Sequence, residues 1–163
     1  MIAGKIFERQ WRKSAEKDTD LFYYRFQDSP AAWGGDNSTL RFTNDNICDV
    51  MMFKSPILFL LEFKTENTKS ISHKRLRKNQ LDGLLEASNY QNICAGVVIY
   101  FSKLDECYFL DIKDFDNHMK TSGRKSIPIS YCQENGIKID VIPLRVNRMY
   151  NVNKFVEQIK CKV

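Results

Sequence analysis

The chain has 163 residues, of which 43% are apolar and 28% charged, and its formal net charge is +5. This composition is that of a globular protein and argues against disorder, and no apolar run approaches the roughly 20 residues that cross a membrane. The modest positive charge permits a polyanionic partner. We expect one domain over residues 1–163.

The cysteines and histidines give no sign of a metal-binding or disulfide framework. The five cysteines are scattered, and none belongs to a Cys-x-x-Cys pair. Because the N-terminal segment lacks an apolar signal core, we expect reduced thiols in a cytoplasmic protein, or in the host cytoplasm if a phage encodes the chain. His73 and His118 are separate from any paired cysteines, which argues against a structural zinc site.

The first predicted element is a helix over Ala3–Lys17, with Glu8 at the edge of its apolar side. Taken by itself, Glu8 has the position of an ordinary solvated helix charge. A strand is predicted over Leu21–Gln27. The segment Ala31–Asp45 has no periodicity, so we expect a functional or mobile loop in which Trp33 folds back onto the body.

The most informative stretch is a predicted hairpin, with strands over Ile47–Phe53 and Ile57–Thr65. Because side chains alternate along a strand, Glu62 and Lys64 share one face, and the hairpin length brings Asp49 close to Glu62. Two carboxylates about 4 Å apart repel by roughly 4 kcal/mol at an effective dielectric constant near 20, and Mg²⁺ would relieve that repulsion. The alternative is that Asp49 caps a turn while Glu62 and Lys64 form an ordinary ion pair.

A basic segment follows the hairpin. Ser70 or Ser72 is expected to cap a helix that runs to about Asn89 and packs on the sheet through leucines at helical spacing. Gln80 lies one turn into this helix and is expected to face the acidic pair. The cations at its beginning are Lys69, Lys74, Arg75, Arg77 and Lys78. A basic run is usually a solvated face, but next to an acidic hairpin it is also suited to hold phosphates beside a metal.

The remaining chain predicts short strands and helices in alternation. In order these are a strand over Ile93–Phe101, a strand over Cys107–Asp111, a helix over Ile112–Lys120, a basic loop over Thr121–Ser126, a helix over Ile127–Gln133, an edge strand over Ile137–Pro143 and a helix over Asn151–Lys160. The predicted fold class is α/β, with a mixed central sheet flanked by helices.

Six short motifs occur one after another along the chain. They are Gly4-Lys5-x-Phe7-Glu8, Tyr24-Arg25-Phe26-x-Asp28-Ser29, Asn46-x-Cys48-Asp49, Glu62-Phe63-Lys64, the basic segment Ser70–Gln80, and Phe101–Asp111 with the later Gly123-Arg124-Lys125-Ser126-Ile127. Together they resemble the RecU-like Holliday junction resolvases of the PD-(D/E)xK nuclease superfamily. The resemblance implies a restriction-endonuclease-like core and metal-dependent hydrolysis of phosphodiester bonds in branched DNA.

The resemblance also implies roles for individual residues. The implied Mg²⁺ or Mn²⁺ ligands are Asp49, Glu62, the backbone carbonyl of Phe63, and Glu8. Lys64 would orient the attacking water and stabilise charge on the scissile phosphate, and Gln80 would position the water or a phosphate. The implied DNA-binding residues are Arg25, Lys69, Lys74, Arg75, Lys78, Arg124 and Lys125. A four-way junction needs two symmetric cuts, which implies a homodimer.

Two departures from the family pattern bear on these expectations. The segment Ser29–Asp45 is short where RecU proteins carry a longer projecting stalk that engages the junction, which affects junction specificity more than cleavage. Cys48 precedes Asp49 where the superfamily has a proline. Two alternatives stay open. One is a nuclease of the same fold that acts on flaps or replication intermediates, and the other is a DNA-binding or scaffold protein without catalysis.

Overall fold

The computed structural model describes residues 3–27 and 46–161, so the expectations for Ala31–Asp45 and Trp33 fall outside the described residues. The helices are α1 (Ala3–Ala15), α2 (Lys78–Ala87), α3 (Ile112–Thr121), α4 (Ile129–Asn135) and α5 (Val152–Lys160), with a 3₁₀ turn over His73–Arg75. The strands are β1 (Phe22–Arg25), β2 (Val50–Lys54), β3 (Ile57–Glu66), β4 (Ser70–Ser72), β5 (Ile93–Phe101), β6 (Glu106–Asp111), β7 (Ser126–Pro128), β8 (Ile137–Ile139), β9 (Val141–Pro143) and β10 (Arg148–Tyr150).

Six of these strands form one mixed sheet in the order β1-β2-β3-β5-β6-β8. Strands β3 and β5 are parallel, and their connection includes α2, as a parallel pair requires a crossover. The other neighbours in this sheet are antiparallel. Two smaller ribbons pair β4 with β7 and β9 with β10. The predicted mixed sheet flanked by helices is confirmed.

The two faces of the sheet are packed differently. Helices α1 and α5 cover one face with a largely aromatic cluster, in which Phe7 and Trp11 contact Phe63 of β3 at ring-centroid distances of 5.2 Å each. Helices α2, α3 and α4 cover the other face with a mainly aliphatic cluster that includes Leu60 and Leu84. We call these the aromatic face and the aliphatic face.

Strand β3 contributes side chains to both faces. Phe59, Leu61 and Phe63 belong to the aromatic face, and Leu60 to the aliphatic face. Glu62 lies between Leu61 and Phe63, which both belong to the aromatic face. Because side chains alternate along a strand, the side chain of Glu62 points into the aliphatic face. This places a carboxylate among apolar side chains.

The predicted helix from Ser70 or Ser72 to Asn89 is wrong at its beginning. Residues 70–72 form strand β4, which pairs with β7 through Ser72↔Ser126. The Ser72 hydroxyl accepts a hydrogen bond from the Lys74 amide (3.3 Å), but it caps the 3₁₀ turn and not a helix. Helix α2 starts at Lys78. A strand partner more than 50 residues away overrode the local capping signal.

Two further boundaries differ from the prediction for related reasons. The helix expected over Ile127–Gln133 begins at Ile129, because residues 126–128 are the β7 partner of β4. The strand expected over Ile137–Pro143 divides into β8, at the sheet edge, and β9, which pairs instead with the unpredicted β10. None of the helices in the described ranges has the length and apolarity that crossing a bilayer requires.

Candidate active site

The candidate site lies at the end of the β2–β3 hairpin, where Asp49 meets Glu62. The strands pair through Val50↔Leu61, so Asp49, the residue before β2, falls opposite Glu62. The Asp49 amide donates to the Leu61 carbonyl at 3.1 Å, and the Asp49 carbonyl accepts from the Phe26 amide at 2.9 Å. The backbone of Asp49 is therefore held from both sides, and the predicted proximity of the two acids is present.

The carboxylate of Asp49 is oriented by strand β3 itself. The Phe63 amide donates to Oδ2 of Asp49 at 2.8 Å. This hydrogen bond crosses the hairpin and is not the local turn cap that was the alternative for Asp49. Because the N–H and C=O groups of one strand residue point to the same side, the Phe63 carbonyl also lies on the side of Asp49.

Glu62 is a buried carboxylate whose side chain is 1% exposed. Its Oε1 accepts hydrogen bonds from the Lys64 ammonium and from Nε2 of Gln80, the latter at 2.7 Å. Its Oε2 is buried and has no hydrogen-bond partner among the described residues. Burial first, and then the charge of Asp49, raise the pKa of Glu62 to about 7, while Lys64 opposes the rise.

Helix α2 brings Gln80 to this carboxylate. Gln80 is 2% exposed, and its Oε1 accepts a hydrogen bond from the Arg77 amide at 3.1 Å, which satisfies a free donor at the start of the helix. Gly83 lets the helix lie against the segment that leads into β2, since a Cβ there would be 2.3 Å from Cγ2 of Ile47. Gln80 faces the acidic pair, as the sequence predicted.

Glu8 lies on α1, on the aromatic face, and is bound to Arg25 of β1. The Arg25 Nε to Glu8 Oε2 distance is 2.7 Å, and both side chains are partly buried. Within residues 3–27 and 46–161, no group of three His, Cys, Asp or Glu side chains is placed to hold a metal ion. The structure therefore brings Asp49 and Glu62 together without Glu8, and the metal-ligand role of Glu8 stays a prediction.

Most of the residues predicted to bind DNA lie around the β4–β7 ribbon. Besides the ribbon pairing, the His73 amide donates to the Lys125 carbonyl at 3.1 Å, and the Ile129 amide donates to the Lys69 carbonyl at 2.9 Å. Two basic segments far apart in sequence thus become neighbours. The cations of this ribbon and the adjoining helix start are Lys69, Lys74, Arg75, Lys78, Arg124 and Lys125.

Two of these cations already have carboxylate partners. Nε of Arg75 binds Oε1 of Glu66 at 2.7 Å, which holds the 3₁₀ turn to the end of β3. The exposed Lys78 pairs with Asp82 one turn along α2. Such exposed pairs contribute little to stability, so their cations remain available to an anionic partner.

The contact between the two histidines is a feature that the sequence did not predict. Nε2 of His73 and Nδ1 of His118 are 3.2 Å apart, and burial lowers the pKa of both rings. His118 also packs edge-on against Tyr131, with ring centroids 4.6 Å apart. The pair ties the 3₁₀ turn to α3. Its one sequence signal is that these are the only two histidines in the chain.

Comparisons with known proteins agree with this architecture. The family model described as Recombination protein U, or RecU, matches residues 39–154. That range includes Asp49, Glu62, Lys64 and Gln80 but not Glu8 or Arg25. The chain is also 31% identical over 166 residues to the SPbeta prophage-derived uncharacterized protein YotM of Bacillus subtilis strain 168, covering 93% of this chain and 83% of that protein.

A solved structure shares the fold. The Hjc protein of Archaeoglobus fulgidus, described as a Holliday junction resolvase from an archaeal hyperthermophile, superposes with a TM-score of 0.55. The match covers 83% of this chain and 95% of Hjc at 15% sequence identity. The predicted restriction-endonuclease-like core is thereby confirmed.

Proposed function

Because the chain belongs to the recombination protein U family, we propose that it is an endonuclease that cuts four-way DNA junctions by phosphodiester hydrolysis. The observation that carries the proposal is the Asp49–Glu62 pair beside Lys64 at the end of a hydrophobic hairpin. Two carboxylates held together next to apolar side chains repel each other unless a cation compensates. The fold shared with Hjc, which is described as a Holliday junction resolvase, supports the same activity.

The compensating cation in this proposal is Mg²⁺ or Mn²⁺, held by Asp49, Glu62 and the carbonyl of Phe63. The residues fit such an ion, because Oε2 of Glu62 is a buried carboxylate oxygen without a hydrogen-bond partner among the described residues. When bound, the ion supplies a water of lowered pKa and a clamp on phosphate oxygens. Glu8 would join as a further ligand only if its ion pair with Arg25 opens, which a DNA phosphate at Arg25 would favour.

Lys64 and Gln80 have complementary roles in the proposed site. The Lys64 side chain is 14% exposed and bonded to Glu62, so its ammonium lies between the buried carboxylate and solvent. There it would orient the attacking water and stabilise the charge that develops on the scissile phosphate. Gln80 holds Oε1 of Glu62 by a hydrogen bond, which would fix the carboxylate so that Oε2 stays directed to the ion.

DNA would be held through its phosphates by the cations around the β4–β7 ribbon, with Arg25 on the other side of the hairpin. Phosphate contacts position a duplex without reading its sequence, and they make binding salt-dependent. The residues assigned to this role are Arg25, Lys69, Lys74, Arg75, Lys78, Arg124 and Lys125.

We further propose a homodimer, because paired cuts across a junction need two symmetric sites. The surface that fits a second copy is the β1–β2 edge of the sheet, where Phe22, Tyr24 and Phe53 are 54%, 47% and 43% exposed. Phe22 lies directly opposite Phe53, and Phe22 and Tyr24 share one face of β1. An exposed aromatic cluster on an edge strand is typical of an association surface. A Phe22→Ser/Phe53→Ser variant should sediment as a monomer, and an unchanged sedimentation coefficient would reject this surface.

In this proposal residues 1–163 form a single nuclease domain that works in the cytoplasm, where the DNA is. If a phage carries the gene, as the similarity to a prophage-derived protein suggests, this compartment is the cytoplasm of the host cell. One cooperative unfolding transition by two spectroscopic probes would support the single domain, and two separate transitions would contradict it.

The decisive test is cleavage of a labelled four-way junction and of a duplex of the same sequence, with Mg²⁺, with Mn²⁺ and with a chelator. The proposal expects metal-dependent paired nicks confined to the junction. Asp49→Asn should abolish them while junction binding is retained or tightened. If duplex or flaps are cut equally well, the nuclease remains but the resolvase does not. Binding without cleavage under either metal would favour a DNA-binding or scaffold protein on this fold.

A further inference from the structure

The β9–β10 hairpin presents apolar side chains to solvent at one place. Ile142, Leu144 and Val146 are 41%, 49% and 84% exposed, and Val146 is the most exposed large apolar side chain among the described residues. Pro143 lies between them and is also exposed. We call residues 142–146 the hairpin tip. Exposed apolar side chains that cluster in this way mark a contact surface more often than isolated ones do.

The tip is held in a defined orientation by its own base. The turn is closed by a hydrogen bond from the Leu144 amide to the Asn147 carbonyl at 2.8 Å. Tyr150, at the end of β10, is 2% exposed and contacts the rings of Phe7 and Trp11. Its amide donates to the hydroxyl of Ser14 at 3.0 Å. The hairpin is therefore fixed to α1.

A second attachment fixes the hairpin to the turn between β5 and β6. Nε of Arg148 binds Oδ1 of Asp105 at 2.5 Å, and the same oxygen accepts a hydrogen bond from the Tyr100 hydroxyl at 2.6 Å. The guanidinium of Arg148 also lies over the Tyr100 ring, 5.9 Å from its centroid. These contacts tie the strand that follows the tip to the end of β5.

The tip lies near the end of the sheet at which β3 and β5 finish, because Arg148 binds Asp105 in the turn that follows β5. Strand β8 is antiparallel to β6, and β6 is antiparallel to β5, so β8 runs in the direction of β5 and of its parallel neighbour β3. Strand β9 follows β8 after one residue, Asp140. The same end of the sheet carries Lys64, two residues before β3 ends at Glu66.

The tip itself carries one cation, the exposed Arg145, between Leu144 and Val146. The nearby cations Arg148 and Lys154 are paired with Asp105 and Asp140. An apolar tip that carries an arginine suits a partner that offers an anionic backbone together with exposed apolar faces. DNA offers both where its bases are unstacked, and leucine, isoleucine and proline are among the side chains that proteins insert at such steps.

We propose that the hairpin tip packs against bases that are unstacked at the branch point of a DNA junction, while Arg145 holds an adjacent phosphate. This inference rests on the proposed function and deepens it. The ribbon cations would hold duplex arms in any sequence or structure, whereas the tip would recognise the place where stacking is broken.

The test is equilibrium binding, in chelator, of a four-way junction with 2-aminopurine at the branch point and of a duplex with the same probe. Leu144→Ser/Val146→Ser should weaken junction binding by about tenfold, because it removes most of the apolar surface of the tip, and should leave duplex binding within about twofold. The fluorescence change of 2-aminopurine on binding should also be lost. The matched control is Tyr90→Ser, since Tyr90 is 63% exposed and precedes β5 at the opposite end of the sheet.

The outcomes separate this inference from the function on which it rests. If the unaltered protein binds junction no better than duplex, the proposed junction function fails and the tip proposal with it. If the junction preference is present and the double variant keeps it, only the role of the tip is rejected. A double variant that changes from dimer to monomer in sedimentation would assign the tip to contact between copies, which also rejects the proposal.

Discussion

The two faces of the central sheet differ in the kind of polar group that they bury. On the aromatic face, Trp11 and Tyr150 leave a buried N–H and a buried hydroxyl without hydrogen-bond partners among the described residues. On the aliphatic face, Glu62 buries a carboxylate beside Asp49, with one oxygen also unpartnered. A neutral donor left unpaired costs far less than a buried charge. The aromatic face is therefore built for stability, whereas the aliphatic face is less stable around its acidic pair.

The largest effect is expected on the aromatic face. Trp11 is fully buried and contacts four rings, so Trp11→Ala should lower the free energy of unfolding by about 3–5 kcal/mol. Urea denaturation measures the change. Leu84→Ala, at a fully buried position of α2, is the counterpart on the aliphatic face and should cost less. If Leu84→Ala lowers the free energy of unfolding more than Trp11→Ala does, the aliphatic face and not the aromatic face contributes more to stability.

The next largest effect concerns the charge of Glu62. Its pKa rises from 4.5 unfolded to about 7 folded, so the folded state binds more protons between those values. The stability of the metal-free protein should therefore fall as the pH rises from about 4.5 through 7, by on the order of a few kcal/mol. Glu62→Gln removes this titration, and its stability relative to the unaltered protein should increase over the same range.

Urea denaturation of both proteins across that range, in chelator, tests this prediction. Asp18→Asn is a matched control, because Lys54 holds the pKa of Asp18 below its usual value and its titration lies at lower pH. Parallel pH profiles for the unaltered protein and Glu62→Gln would show that Glu62 is not the group that destabilises the aliphatic face.

A smaller effect is expected from Gln80, which connects the helix to the acidic pair. Gln80→Ala removes the hydrogen bonds to the Glu62 carboxylate and from the Arg77 amide, and should cost about 1–3 kcal/mol in thermal unfolding. The neighbouring Asn79→Ala should be closer to neutral, since Nδ2 of Asn79 is buried without a partner among the described residues. Equal losses for the two variants would indicate that the helix, and not the contact with Glu62, is responsible.

The smallest effect concerns DNA binding by the ribbon on the aliphatic face. Lys125→Ala should weaken junction and duplex binding by a similar small factor, and should reduce the slope of log affinity against log salt by about 1. Lys154, on α5 of the aromatic face, pairs with Asp140 at 2.9 Å, and Lys154→Ala should leave the slope unchanged. If the salt slope changes in Lys154→Ala but not in Lys125→Ala, the DNA is bound on the aromatic face and not by the ribbon.

The hairpin and the proximity of its two acids could be predicted from the sequence alone. Alternation along Glu62-Phe63-Lys64 predicts that Glu62 and Lys64 share one face, and a hairpin of this length brings Asp49 close to Glu62. The predicted ends of β5 and the start of α3 are also correct. These features depend on contacts between residues that are close in the chain, where a period of two or 3.6 is a sufficient guide.

Segments whose pairing partners are distant in the chain could not be assigned correctly from the sequence, because those partners become neighbours only in the folded protein. Residues 70–72 carry helix-capping serines but form a strand, because β7 supplies their hydrogen bonds. The strand expected at residues 137–143 divides because β10 pairs with its second half. The ion pair of Glu8 with Arg25 and the contact of His73 with His118 likewise join residues 17 and 45 positions apart. Local propensity differs by about 1 kcal/mol between alternatives for such short segments, so a distant partner decides between them.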